Sequence, residues 1–188
     1  WDKTKLFSCG KPAPRMEIRI ASADPARIPG EIQVKGANVM LGYYKNEEAT
    51  AESFTSDGWM RTGDMGIIDG DGYLFIKGRC KSMILGPSGQ NIYPEEIESA
   101  INNMPYVIES LVIDANGKLV ALVYPDVELA GKDGLDNAAL LKKMEENIAT
   151  VNVDMPNYSK IAGVRLVPEE FEKTPKKSIK RYMYQQNG

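Results

Sequence analysis

Residues 72–98 read GYLFIKGRCKSMILGPSGQNIYPEEIE. The stretch opens as a strand, passes through Gly78-Arg79-Cys80-Lys81, crosses a Gly/Pro/Ser loop and starts a helix at Pro94. Small β elements precede it, and mixed α and β elements follow. A boundary is therefore expected at Arg79–Lys81, dividing the chain into residues 1–78 and 79–188. Pro94 stands where a first-turn proline belongs, because its missing N–H costs nothing there. Glu95, Glu96 and Glu98 put negative charge near the helix N-terminus, where the dipole favours it. Ile97 and Ile101, four apart, line one helix face.

Upstream, Met16-Glu17-Ile18-Arg19-Ile20 alternates apolar and polar residues, and so does Gly30-Glu31-Ile32-Gln33-Val34-Lys35-Gly36. That period belongs to half-buried strands. Residues 46–54 have helical character, with Ala49, Ala51 and Phe54 expected to point inward. After an Asp57-Gly58 turn, residues 59–62 form a short strand. Residues 65–68 and 73–77 then flank Asp69-Gly70-Asp71-Gly72. Asp-Gly pairs supply the positive φ of a tight hairpin. A calcium loop is the competing reading of this tetrapeptide. Its glycine comes too early, however, and no Glu follows at the twelfth position, so a plain turn is expected.

Downstream, residues 107–114 and 118–124 are β-rich runs around Ala115-Asn116-Gly117. Asn-Gly between apolar runs is a strong hairpin signal. Leu141, Met144, Ile148 and Val151 follow a helical period, with Asp136 as N-cap. Residues 161–167 read as a further strand. No repeat or low-complexity segment interrupts the chain. The fold class expected is α+β.

At 188 residues with 43% hydrophobic content, the chain suffices for one large or two small packed domains. A net charge of −3 gives no reason to expect a nucleic-acid partner. No apolar run is long enough to span a membrane. The start, Trp1-Asp2-Lys3-Thr4-Lys5, has no initiator Met, signal peptide or lipidation motif, and reads as a piece of something longer. Two cysteines, Cys9 and Cys80, form no CxxC pair, which suits a reducing compartment and argues against a zinc cluster. Histidine is absent, so no histidine base and no His-ligated metal site lies within this chain, and no metal ligand is expected. The oligomeric state is not legible.

Four clusters carry chemistry. Asp64, in Arg61-Thr62-Gly63-Asp64, places a carboxylate beside a glycine that allows close ligand approach. Its two oxygens match a ribose cis-diol; the alternative is a turn-forming Asp capping its own backbone. Arg79 can fork onto a ribose oxygen or a phosphate, or be a surface arginine. Asn91 either orients phosphate or backbone, or is a loop residue in the left-handed region. The tail, residues 172–181, reads EKTPKKSIKR and is half basic, as a solvated basic strand or a localisation patch would be.

Taken in order, these clusters resemble the motifs of the adenylate-forming superfamily, and most of all a long-chain fatty acid–CoA ligase. Thr62-Gly63-Asp64 resembles the TGD motif, whose aspartate holds the adenosine ribose. Gly78-Arg79-Cys80-Lys81 resembles GRxK/D, which makes Arg79 a nucleotide contact and Lys81 the hinge position; the other reading of Lys81 is a solvated linker lysine. Residues 89–98 resemble GxxxxPxEIE, with Asn91 as in long-chain members. The tail resembles PKTxxGKIxR, whose second lysine neutralises developing charge during adenylation.

The tail also departs from that pattern. Ser178 stands at the catalytic-lysine position, and a hydroxyl cannot supply the cation. Lys176, Lys177 and Lys180 are the candidates to replace it. On an extended segment Lys176 and Lys180 share the face of Ser178, and Lys177 points away. A one-residue loop shift brings Lys177 into place instead.

The resemblance implies a small β-rich, distorted-barrel subdomain ending a large adenylation domain (1–78). A mobile α+β domain with a small antiparallel or mixed sheet flanked by helices (79–188) follows. It implies ATP/AMP, Mg2+ and coenzyme A as cofactors and a fatty acid as substrate, in a parent of which this portion alone is inactive. It implies a cytoplasmic protein, with peripheral attachment to the inner face of the membrane as the variant. The phosphate-cradling loop and acyl pocket of the superfamily have no counterpart in these residues. Two rivals remain: a non-catalytic nucleotide- or partner-binding module, and an adenylate-forming enzyme with another acyl acceptor.

Overall fold

The computed structural model describes residues 4–185, so Trp1-Asp2-Lys3 lies outside the described residues. The fold is α+β. The chain divides into two compact units, Trp1–Lys81 and Ser82–Gly188.

The first unit is an antiparallel meander. Strands β1 (Met16–Ala21), β2 (Gly30–Gly36), β3 (Met60–Ile68) and β4 (Leu74–Arg79) lie in the order β1-β2-β3-β4. Helix α1 (Glu47–Glu52) interrupts the meander between β2 and β3, capped by Asn46, whose side chain accepts from the Ala49 N–H. The subdomain expected as a distorted barrel is thus a four-stranded sheet. Along the outer edge of β4, the Cys9 N–H donates to the Leu74 carbonyl and the Leu74 N–H donates to that of Gly10.

Two details of this unit differ from the sequence reading. No residue of α1 is buried, and Ala51 is exposed, because a helix this short presents its outer side to solvent. The separate strands expected at 59–62 and 65–68 are one strand, β3. The Thr-Gly-Asp turn is absorbed by a positive φ at Gly63 and a bulge at Met65/Gly66. The Asp69–Gly72 turn is present, and Lys5 binds both its carboxylates. Gly30 and Gly66 face each other across β2 and β3, and both are buried. A Cβ at Gly30 would lie 2.4 Å from the Ala21 carbonyl oxygen, and one at Gly66 would lie 2.6 Å from that of Phe75.

The second unit opens with a small hairpin, β5 (Ile84–Leu85) and β6 (Asn91–Ile92), followed by α2 (Pro94–Asn102) with Pro94 in its first turn. Strands β7 (Val107–Ala115) and β8 (Lys118–Pro125) are joined by Asn116-Gly117, with φ of 55° and 78°. Those angles are the paired positive φ of a two-residue hairpin loop. Helices α3 (Val127–Lys132) and α4 (Asn137–Val153) form the crossover that parallel pairing requires. Strand β9 (Ile161–Leu166) then pairs parallel to β8.

The resulting three-stranded mixed sheet buries both faces, because successive side chains alternate. Val112, Ala121 and Val123 pack under Ile97, Ile101, Leu140, Met144 and Ile148. On the other face Leu111, Ile113 and Leu122 pack with Phe171 from the tail. Asp136 caps α4 by accepting from the Ala139 N–H. The helix buries Leu140 rather than Leu141, which is 38% exposed, so the expected apolar stripe was displaced by one residue at its start. Helix α3, capped by Asp126, had no counterpart in the sequence reading.

Candidate functional site

In the first unit the antiparallel register sets Asp64 of β3 directly opposite Arg79 of β4. Two clusters that are 15 positions apart in sequence thereby become one. The Arg79 Nε lies 3.0 Å from Asp64 Oδ1, with the side chains 63% and 30% exposed. Local bonds hold the Asp64 backbone. Its N–H donates to Thr62 Oγ1 at 3.1 Å, and that hydroxyl donates to the Ile32 carbonyl at 2.8 Å. The Cys80 N–H donates to the Gly63 carbonyl at 2.8 Å, which ties the end of the unit to the same turn. Gly63 has φ +73° and nothing near where a Cβ would stand, so space is open beside the carboxylate.

This arrangement can accept a diol on the aspartate and present a guanidinium to an anion, which suits the sugar and phosphate of a nucleotide. Cys80 is not an activated thiol: burial, then the charges of Glu31 and Asp64, push its pKa up. Lys81 is exposed and is the last residue of the first unit.

In the second unit Asn91 is exposed on β6, beyond a loop in which Gly89 has φ +81°. The tail is not the extended segment considered above. Lys173 and Ile179 bridge each other, the Thr174 N–H donates to the Ser178 carbonyl, and the Lys177 N–H donates to that of Thr174. The result is a tight turn, and the alternation that placed Lys176 and Lys180 beside Ser178 does not apply to it. Lys177 takes the left-handed conformation at φ 61°. That is the position at which the resembled motif has its glycine. Lys176, Lys177 and Ser178 are exposed at the tip, and Lys180 pairs with Glu172 at 3.2 Å.

Sequence reading missed the anchor of this turn. Glu98 was assigned to the helix dipole, yet it is buried. Its Oε1 accepts from the Val112 N–H at 2.7 Å, and Arg181 forks onto both of its oxygens. Glu95 Oε1 lies 3.6 Å from Arg181 Nη2 and accepts the Ser82 hydroxyl. Burial pushes the Glu98 carboxyl above its ordinary value, and the Arg181 guanidinium opposes that rise. The one sequence signal for this network is the spacing of the helix: Glu98 lies one and three positions from Ile97 and Ile101, on a stripe that is otherwise apolar.

No group of three His, Cys, Asp or Glu side chains converges as a metal site among the described residues. Among those residues no helix is long and apolar enough to cross a membrane.

Asp64 and Arg79 form a pair suited to a nucleotide, and comparison with known proteins gives the family of the chain. The AMP-binding enzyme C-terminal domain model matches residues 81–187, so the chain belongs to the family of AMP-binding, adenylate-forming enzymes. It is 33% identical over 197 aligned residues to the long-chain-fatty-acid–CoA ligase FadD15 of Mycobacterium tuberculosis, covering 94% of this chain and 32% of the relative. It is 42% identical over 113 residues to 2-succinylbenzoate–CoA ligase of Bacillus cytotoxicus, covering 58% of this chain and 23% of that protein. Among solved structures, o-succinylbenzoate CoA synthetase (MenE) from Bacillus subtilis in complex with the acyl-adenylate OSB-AMP superposes with a TM-score of 0.76. There the identity is 29%, over 96% of this chain and 36% of that one. The chain thus spans about a third of the length of its full-length relatives.

Proposed function

We propose that this chain supplies the nucleotide-clamping and mobile portion of an AMP-forming acid–CoA ligase. In this reading residues 1–78 end the large adenylation domain, and residues 79–188 are the C-terminal domain that turns about Lys81. The observation that carries it is the cross-strand meeting of Asp64 and Arg79, immediately before the boundary between the two units.

The enzyme joins a carboxylate to AMP with loss of pyrophosphate, then passes the acyl group to the thiol of coenzyme A. Asp64 holds the ribose hydroxyls, Arg79 turns from Asp64 to the ribose or phosphate oxygens, and Asn91 orients the approach from the second unit. One of Lys176, Lys177 and Lys180 provides the cation that Ser178 cannot. The tip positions of Lys176 and Lys177 favour these two, since Lys180 is already paired. Mg2+ bound to the ATP phosphates would supply charge neutralisation there, and no residue of this chain is assigned to hold it. Residues 1–188 alone turn over no substrate.

The acid is a long-chain fatty acid. The 94% coverage of the match to the fatty-acid ligase supports this, whereas matches to succinylbenzoate and indoleacetate ligases cover less of the chain. A cytoplasmic enzyme fits those substrates.

The test is ATP–pyrophosphate exchange by the intact enzyme carrying this chain, across short, medium and long carboxylic acids. Exchange restricted to long-chain acids is expected. Exchange only with aryl acids would overturn the substrate class, and none with any acid would overturn the ligase reading.

A further inference from the structure

Arg181 stands at one foot of the turn that carries Lys176, Lys177 and Ser178. Its guanidinium forks onto Glu98, and Glu98 is itself fixed by the Val112 N–H of the central sheet. The same guanidinium approaches Glu95 Oε1, which accepts the hydroxyl of Ser82, the first residue of the second unit. The other Glu95 oxygen is buried without a hydrogen-bond partner among the described residues, so this carboxylate is held by Ser82 and Arg181 alone. The other foot of the turn is fixed too. Phe171 is buried, the Glu172 N–H donates to the Tyr184 hydroxyl at 2.8 Å, and Lys173 lies 3.1 Å from Glu109. An exposed, lysine-bearing tip therefore rests on a base clamped at both ends.

We propose that Arg181, seated by Glu98 and Glu95, is a positioning residue that fixes the lysine turn and ties it to the backbone directly after the hinge position. This inference rests on the ligase reading above, in which the turn delivers a cation to the adenylation step. Arg181 touches no substrate and acts through the lysines. A guanidinium suits the task because two parallel bonds fix orientation, which a point-charge ammonium does not. With Ser82 bound to the same cluster, a change of backbone angles at Lys81 carries the turn rigidly with α2.

The test uses Arg181→Lys in the intact enzyme, which keeps the charge opposite Glu98 and removes the fork. Pyrophosphate exchange is expected to fall about tenfold to a hundredfold, the scale of a group misplaced by roughly 1 Å. Thioester formation from supplied acyl-adenylate is expected to stay within about twofold. Trypsin is expected to cut after Lys176 or Lys177 about tenfold faster, the scale of a weakened local opening equilibrium. Should Arg181→Lys lose its cooperative thermal transition, Ser82→Ala replaces it, with a smaller loss confined to exchange.

Parallel losses in both half-reactions, or an unchanged cutting rate, would overturn the inference. A wild-type enzyme without exchange, whose variant is nonetheless cut faster, would refute the ligase reading and keep the clamp. Normal exchange by the variant would keep the reading and refute the clamp.

Discussion

Two of the arginine–carboxylate pairs in this molecule have similar chemistry and opposite character. The Arg79 Nε meets Asp64 Oδ1 at 3.0 Å, with both side chains partly exposed. Arg181 forks onto both oxygens of Glu98, a carboxylate only 9% exposed that also accepts a backbone N–H. An exposed pair in high dielectric is held weakly and exchanges partners at low cost. A desolvated pair cannot separate without leaving a buried charge. The first pair is suited to receive a ligand, and the second to hold an element still.

Removing one partner from each pair tests that contrast most strongly. Arg181→Met strands Glu98 in the interior and should lower unfolding free energy by about 3–5 kcal/mol. Arg79→Met should cost less than about 1 kcal/mol. Urea midpoints of the two variants decide it, and equal losses would break the comparison.

Ligand binding should reverse the order. Asp64→Ala in the intact enzyme should weaken AMP by about 1.5–3 kcal/mol, the worth of hydrogen bonds to a charged group. Its thermal midpoint should stay near that of wild type. Calorimetric titration checks the affinity, and an unchanged value removes Asp64 from the site.

Gly66→Ala sharpens the contrast from the side of packing. Its new methyl would meet the Phe75 carbonyl and Ile32, and should cost about 1–3 kcal/mol of stability. AMP affinity of the folded fraction should be unchanged.

The smallest effect concerns pH. The Glu98 carboxyl is raised above its ordinary value of 4.5 in the fold. Its contribution to stability is therefore full below that value and is lost as pH rises through the raised one. Relative to Glu98→Gln, wild type should lose stability over that rise. Thermal midpoints of both proteins from pH 4 to 8 measure this, and a wild type that gains stability over Glu98→Gln as pH rises would contradict it.

What was legible in the sequence was local. Asn116-Gly117 specified its hairpin because both positions need positive φ, and Pro94 and Asp136 marked helix starts by the ring of the one and the capping carboxylate of the other. Gly63-Asp64 and Arg79 could be recognised singly, and only the β3–β4 register could bring them together. What was not legible depended on distant partners. Glu98 looks like a surface charge until Arg181, 83 residues away, closes on it. The lysine turn looked extended because nothing local announces a left-handed Lys177; the base that enforces it is Phe171 against the sheet and Arg181 against α2. Leu140 displaced Leu141 through a one-residue phase difference, which helical periodicity from sequence does not resolve.

The facing glycines of β2 and β3 bear on how any mutational map of this protein should be read. Gly30 and Gly66 have carbonyl oxygens standing where a first side-chain carbon would go. A saturation screen scored by growth would rank Gly66, two positions from Asp64, as intolerant as the aspartate itself. A screen scored by abundance is expected to separate them: the glycine variants should be depleted from the cell, whereas the aspartate variants, in the role proposed for Asp64, should accumulate folded and inactive.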